Sequence, residues 1–467
     1  MDTATKKKYN YWQWRTLIVL MIGYALFYFV RKNFSIAMPA LESELGLSKT
    51  QLGIFLTLNG VIYGVSRFIN GMLADRVSCK KMMAIGLALS AAVNIVIGFL
   101  PQLDAFFNVF DTEGKITIAA VYVLGSLWLI NGYVQGMGYP PCSSLMANWI
   151  KPSELATKQS IWNASHNIGA GLVSIMIGAI LGHFGNSAWQ WCFFAPAILA
   201  IFGAILIFLG LKDKPANVGL PNVEDMDEKK VEEAVVKKES EAFAKLAYKK
   251  SISRLVFKNP VIWIVGIADF FVYIFRFTIL DWGSMILTQY KGLPIELAAS
   301  IVGIIEIVGG ILGTLAAGWV TDKVFKSCAH RTSVVCLLGA VVCMFAFWKI
   351  PASQSVLGIV FIILASFFIY GPQALLGIAA SNQATKRVAA SANGLVGIFC
   401  YLAPIVSGVV FGNIAETKGW DAVFLASIIF GLVGAVILGL IWKKPATGYE
   451  TAEKILEEVR AELGEEV

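Results

Sequence analysis

The chain is poor in charge and poorer in histidine. Asp, Glu, Lys and Arg make up 15% of its 467 residues against 57% hydrophobic ones, and there are only three histidines. Soluble domains carry about 25% charged residues, so a conventional water-facing globule is excluded. Seven cysteines (Cys79, Cys142, Cys192, Cys328, Cys336, Cys343 and Cys400) lack CxxC or Cys/His spacing. They support neither a disulfide framework nor a metal site, and no cofactor is expected. No nucleophile and base stand together as an enzyme would need. The net charge of +7 comes without any nucleic-acid motif.

What the chain has is long apolar runs. Several exceed the roughly 20 residues that carry a helix across about 30 Å of hydrocarbon, and runs this continuous exclude a strand-built barrel. Twelve spans are read, near 16–40, 50–74, 82–100, 116–148, 156–184, 188–211, 259–289, 296–321, 332–349, 356–380, 388–414 and 420–442. The expected fold class is an all-α integral membrane protein with the lipid bilayer as its solvent. Five of the 38 basic residues (Lys49, Lys115, Lys291, Lys349 and Lys418) fall in loops on one side. The others outside the spans fall in termini and loops on the opposite side, which places both termini in the cytoplasm. The first run follows basic residues but lacks a small-residue cleavage site, so it reads as a span.

Four basic residues, Arg31, Lys32, Arg67 and Arg276, lie well inside predicted spans, away from their ends. A charge at the bilayer centre costs roughly 2.5–3.5 kcal/mol on insertion scales, so each needs a cavity or a partner. Arg31 sits in YFVRKNF, and taken alone it also fits a side chain that snorkels to an interface. The chain repeats itself, however. GMLADRVSCKK after the second span matches GWVTDKVFKSCAHR after the eighth, and nearly the same shift lays YFVR (Tyr28 to Arg31) on YIFR (Tyr273 to Arg276). Internal repeats are the construction rule of secondary transporters, whose site lies near the midplane between repeats. The expected domains are a six-helix half at 1–211, a cytoplasmic linker at 212–258, a second half at 259–444 and an acidic tail at 445–467. Linker and tail read as solvated, charged segments.

The repeated loops place Gly71, Asp75 and Arg76 in one half and Gly318, Asp322 and Lys323 in the other. Each acid is expected to cap a neighbouring helix N-terminus. The paired signature resembles the major facilitator superfamily, which implies two six-helix halves around a central cavity. Inside the spans, Tyr63 with Arg67 and Trp162 with His166 each stand four residues apart, on one helical face. Arginine forks suit phosphate or carboxylate, and a histidine titrating near 6.5 can follow the charge of a phosphate monoester. Arg31, Arg276, Arg67 and His166 therefore read as a phosphate clamp.

GYALFYFVRKNFSIAMP, YGVSRFINGMLADR, QGMGYPPC, WNASHNIGAG, VYIFRFTILDW, FIYGPQALLG and DKPANVGLP resemble the organophosphate:phosphate antiporters. These comprise the bacterial glycerol-3-phosphate and hexose-6-phosphate exchangers and a sensor relative, and the similarity covers essentially the whole chain. The resemblance implies exchange of external organophosphate for internal inorganic phosphate in the bacterial inner membrane, by a monomer. It implies that Arg31, Arg276 and His166 bind phosphate. Tyr24, Tyr28, Tyr63, Tyr139, Trp162, Asn163, Tyr273, Tyr370 and Tyr401 would line the cavity. Two positions depart from the pattern: Arg67 stands where lysine is usual, and Tyr139 replaces the tryptophan of the glycerol-3-phosphate branch.

Lys32, Asp281 and Glu306 read as machinery. They either pair across the halves or each neutralise a local neighbour. The opening stretch leans towards a hexose phosphate. A sugar-phosphate sensor signalling through a kinase is the rival reading. A proton-coupled sugar symporter is disfavoured, since Glu306 alone faces three arginines.

Overall fold

The computed structural model describes residues 3–74, 76–112, 115–223, 253–384 and 388–448, with residues 451, 454, 455 and 458. Twelve helices in it are long and apolar enough to cross a membrane. They are α1 (Thr3–Leu45), α2 (Lys49–Ala74), α3 (Cys79–Gly98), α4 (Ile118–Trp149), α5 (Lys158–Phe184) and α6 (Asn186–Gly210). The second set comprises α7 (Pro260–Asp281), α8 (Ile295–Lys323), α9 (Ala329–Lys349), α10 (Ala352–Ala384), α11 (Ser391–Lys418) and α12 (Trp420–Gly439). Helices are the form such runs must take, because hydrocarbon offers no partner to an unsatisfied peptide group. Extended pairing among the described residues is limited to one bridge, Phe110 with Ile116, in the α3–α4 connection.

Two spans differ from the sequence reading for identifiable reasons. α1 runs well past its apolar run because its polar start is held in place. The Tyr9 hydroxyl and Gln13 Nε2 donate to the Trp149 carbonyl at 3.1 and 3.2 Å. α4 is two pieces, Ile118–Gln135 and Tyr139–Trp149, broken at Gly136–Gly138. Pro140 and Pro141 open the second piece, where the missing N–H groups cost no intrahelical bond.

The chain divides into two compact units. One comprises Met1–Asp227, Leu280–Ile307 and Pro404–Trp420; the other comprises Glu228–Ile279, Val308–Ala403 and Asp421–Val467. Compactness thus cuts across chain order, since parts of α8 and α11 belong with α1–α6. Glycines make that possible. A Cβ on Gly53 of α2 would stand 2.4 Å from the Gly408 carbonyl oxygen of α11, and one on Gly171 of α5 would stand 2.7 Å from that of Gly303 in α8. Small residues at such crossings let backbones touch, the main source of helix association in lipid.

The start of the linker is a correction. It is folded rather than solvated: Pro215–Val218 form a 3₁₀ turn, Leu220 is buried, and Lys8 Nζ donates to the Val218 carbonyl at 2.8 Å. Asp213 accepts from Ser78 Oγ at 2.6 Å and from Lys80 N at 2.8 Å. The carboxylate at the start of α3 is therefore Asp213. Asp75 and the charged stretch at 231–250 lie outside the described residues, as does most of the acidic tail. Asp322 does not cap α9: it accepts from Ser327 Oγ at 3.2 Å inside its own turn, and Cys328 precedes α9 without a side-chain cap. That turn runs through left-handed Lys326 and Ser327, which returns the chain to its own acid. Arg76, Lys323 and Asp322 are exposed, and Gly71 and Gly318 face open space.

Candidate substrate site

In the first unit the site is built on α1, α2, α4 and α5. α1 bends at Val30, whose φ of −97° and ψ of 16° leave helical geometry. The next residue, Arg31, stacks its guanidinium 3.9 Å from the Tyr63 ring and 5.4 Å from the Tyr28 ring. Arg67, one turn beyond Tyr63 on α2, lies 3.8 Å from the Tyr139 ring. Aromatic faces hold a guanidinium without neutralising it, worth about 0.5–1 kcal/mol at exposed sites and more when desolvated. The guanidinium therefore keeps its positive charge in this setting.

The aromatic residues form one cluster. Tyr24 meets Trp162 with centroids 4.7 Å apart and Tyr28 at 5.6 Å, and Tyr139 meets Trp162 at 5.6 Å. His166 lies against Tyr28 at 5.4 Å, and its Nδ1 contacts the Asn163 carbonyl one turn back. Asn163 itself is exposed. Four-residue spacing on α1 and α5 accounts for this gathering: Tyr24 and Tyr28 share one face, as do Trp162 and His166.

Lys32, Asp281 and Glu306 meet. Lys32 Nζ lies 2.7 Å from Asp281 Oδ1 and 3.6 Å from Glu306 Oε1, with the three side chains 11%, 16% and 2% exposed. Glu306 occupies a π-type turn, Ile305–Gly309, that interrupts α8. Such turns often mark functional positions. Consecutive residues of a helix point about 100° apart, so Arg31 faces the aromatic cluster and Lys32 faces the acids.

In the second unit Arg276 of α7 is buried at 6% exposure, with its guanidinium 5.3 Å from Tyr370, 5.5 Å from Phe277 and 5.8 Å from Tyr273. Tyr401 lies near Tyr273. The setting repeats that of Arg31, a guanidinium among tyrosines.

Two further buried polar groups lie outside the residues expected from sequence. Asp269, four residues before Tyr273 on α7, is buried and accepts from Cys400 Sγ at 2.9 Å; an acid inside an apolar run was the available signal. Behind α1 lie Ser90, Asn94, Asn131 and Gln135, all buried. Their signal was also spacing, two polar pairs each four residues apart in apolar helices.

Comparison with known proteins bears on the family and the fold. The profile described as Major Facilitator Superfamily matches residues 20–408. The chain is 34% identical to the glycerol-3-phosphate transporter of Bacillus subtilis, over 95% of this chain and 94% of that one. It is 32% identical to a probable hexose phosphate transport protein of Chlamydia trachomatis, over 94% and 92%. It is 31% identical to the membrane sensor protein UhpC of Salmonella typhimurium, over 92% of each. Among solved structures it resembles a bacterial homologue of the human lysosomal transporter Spinster, in an inward-facing, unoccupied conformation. That match has a TM-score of 0.71 at 14% identity, over 96% of this chain and 98% of the other.

Proposed function

The chain belongs to the major facilitator superfamily and, within it, to the organophosphate:phosphate antiporter family; from that premise we propose that it exchanges an external organophosphate for internal inorganic phosphate by alternating access. A hexose 6-phosphate is the favoured substrate and glycerol 3-phosphate the second. The observation that carries the reading is Arg31 held between Tyr63 and Tyr28, beside His166, one residue from a lysine bound to two acids.

The mechanism has two parts. Arg31 and Arg276, one from each six-helix half, grip the phosphate through paired charge-assisted hydrogen bonds, with Arg67 and His166 at its rim. An empty site leaves the guanidinium charges uncompensated; phosphate neutralises them and permits the switch between outward and inward access of the halves, 1–211 and 259–444. The switch goes only as far as the ligand's preference for the occluded state drives it, so occupancy is obligatory and exchange results. Lys32 is the second part. Phosphate beside it competes with Asp281 and Glu306 for its charge, loosening a contact that ties α1 to α7 and α8. Membrane orientation follows the basic loops, with both termini in the cytoplasm, and the monomer is the working unit.

The test is uptake of labelled phosphate, glucose 6-phosphate and glycerol 3-phosphate into proteoliposomes. Uptake is expected only when the vesicles are preloaded with phosphate, and the faster organophosphate identifies the substrate. Saturable binding with no uptake would replace the exchanger with the sensor reading, which the similarity to UhpC favours.

A further inference from the structure

The bend in α1 is braced from behind. Asn131 Nδ2 of α4 donates to the Val30 carbonyl at 2.9 Å and Asn94 Nδ2 of α3 donates to the same oxygen at 3.2 Å. Gln135 Nε2 donates to the Phe27 carbonyl at 3.1 Å. These donors are tied to one another: Ser90 Oγ donates to Asn131 Oδ1 at 2.5 Å and Gln135 Nε2 donates to Ser90 Oγ at 2.8 Å. Asn33, two residues past Arg31, donates to Asn94 Oδ1 at 2.7 Å and to the Cys192 carbonyl of α6 at 3.0 Å. Asn33, Asn94 and Asn131 are fully buried, with 0% exposure.

A bend in a helix frees carbonyl groups from the ladder, and in an apolar setting each freed group must find a donor or cost about 1–3 kcal/mol. Two side-chain amides on one oxygen meet that need at Val30. They also do more than satisfy it. Donors from two helices fix the position and direction of the peptide that joins Val30 to Arg31, and Gln135 fixes the turn before it. The stretch carrying Tyr28, Arg31 and Lys32 is held by donors from α3 and α4 that bond to main-chain oxygens of α1.

We infer that Asn131 and Asn94 are positioning residues for the anion site: they act through the α1 bend to hold the Arg31 fork where phosphate docks. The inference rests on the reading of Arg31 as a phosphate ligand. It accounts for something the binding residues alone do not, namely why polar pairs are embedded and buried in α3 and α4. Misplacing a clamp by about 1 Å far from the chemistry can cost up to about a hundredfold.

The experiment is phosphate binding to the purified full-length protein by isothermal titration, with apo thermal stability measured alongside. Asn131→Ala is compared with Asn59→Ala. Asn59 is also a buried amide donating to a main-chain oxygen, that of Trp128 at 3.2 Å, but it ties α2 to α4 away from the bend. Expected: both variants lose stability, Asn59→Ala keeps the Kd for phosphate within about twofold, and Asn131→Ala raises it at least about tenfold. Asn94→Ala, which leaves Asn131 on the Val30 carbonyl, is expected to raise it by less and serves if Asn131→Ala does not fold. Equal Kd values in all variants would overturn the positioning role while leaving Arg31 as a ligand. Loss of affinity in Asn59→Ala to the same degree would reduce the brace to general stability and also overturn it. No phosphate binding by the unmodified protein would overturn the reading of Arg31 and this inference together.

Discussion

A guanidinium and an ammonium carry the same charge, and the two intramembrane positions Arg31 and Arg67 are set to value that difference unequally. Arg31 has its plane fixed by Tyr63 at 3.9 Å, so Arg31→Lys trades a preorganised fork for a mobile point charge. The expected loss is about 2 kcal/mol, a roughly 30-fold fall in phosphate exchange measured in proteoliposomes; undiminished exchange would remove Arg31 from the clamp. Arg67→Lys should be mild, because the charge is kept and Arg67 stands at the rim of the proposed clamp. It forfeits only the stacking on Tyr139, about 0.5–1 kcal/mol. The expected change is less than about fivefold for phosphate, with the ratio of glucose 6-phosphate to glycerol 3-phosphate uptake altered. Competition assays on the two variants check both statements. The residues named from sequence are the ones whose cost made them visible: a charge in an apolar run demands explanation. Asn94 and Asn131 demanded none. Buried amides are cheap once bonded, and what they bond to, a main-chain oxygen on another helix, leaves no mark on the sequence.

Spans were legible because hydrocarbon thickness and backbone hydrogen bonding leave one solution, but their interruptions were not. The bend at Val30 and the π-type turn around Glu306 depend on donors and neighbours from distant segments. The Pro140–Pro141 break in α4 could have been read from the sequence. Asp281→Asn removes the closer acid from a mostly buried lysine and leaves Glu306 at 3.6 Å. Breaking a buried pair costs about 3–5 kcal/mol, and the remaining acid offsets part of it. A fall in apo melting temperature worth up to about 3 kcal/mol is expected, with restoration when the Lys32 charge is also removed by Lys32→Met. A variant as stable as the parent would show the pair to be idle. At the α2–α11 crossing, Gly53→Val forces a side chain against the Gly408 carbonyl. Overpacking of about 1–3 kcal/mol should lower the melting temperature and slow exchange together, whereas Gly71→Val, facing open space, should do neither.

At the scale of the molecule, topology is open to direct chemical test. The seven native cysteines are buried apart from partly exposed Cys336, so they contribute little background to labelling. In intact cells a membrane-impermeant maleimide should label Lys115→Cys and spare Lys151→Cys, both exposed positions in connections on opposite sides by the basic-residue count. The reverse pattern would invert the protein in the membrane. The repeat was readable, since two loops and two arginines superpose by nearly the same shift, yet the compact units were not. They follow which helix ends meet, and that is decided by glycine contacts spread over the whole chain. A last consequence concerns the neighbours Arg31 and Lys32, which face the aromatic cluster and the acids from a single turn of α1. In the proposed cycle, occupancy and latch are joined through one peptide bond, with no relay in which the message could be lost. A protein built this way reports its cargo wherever the other end of that latch leads, whether to a moving half that carries the cargo across or to a partner that only needs to know it has arrived.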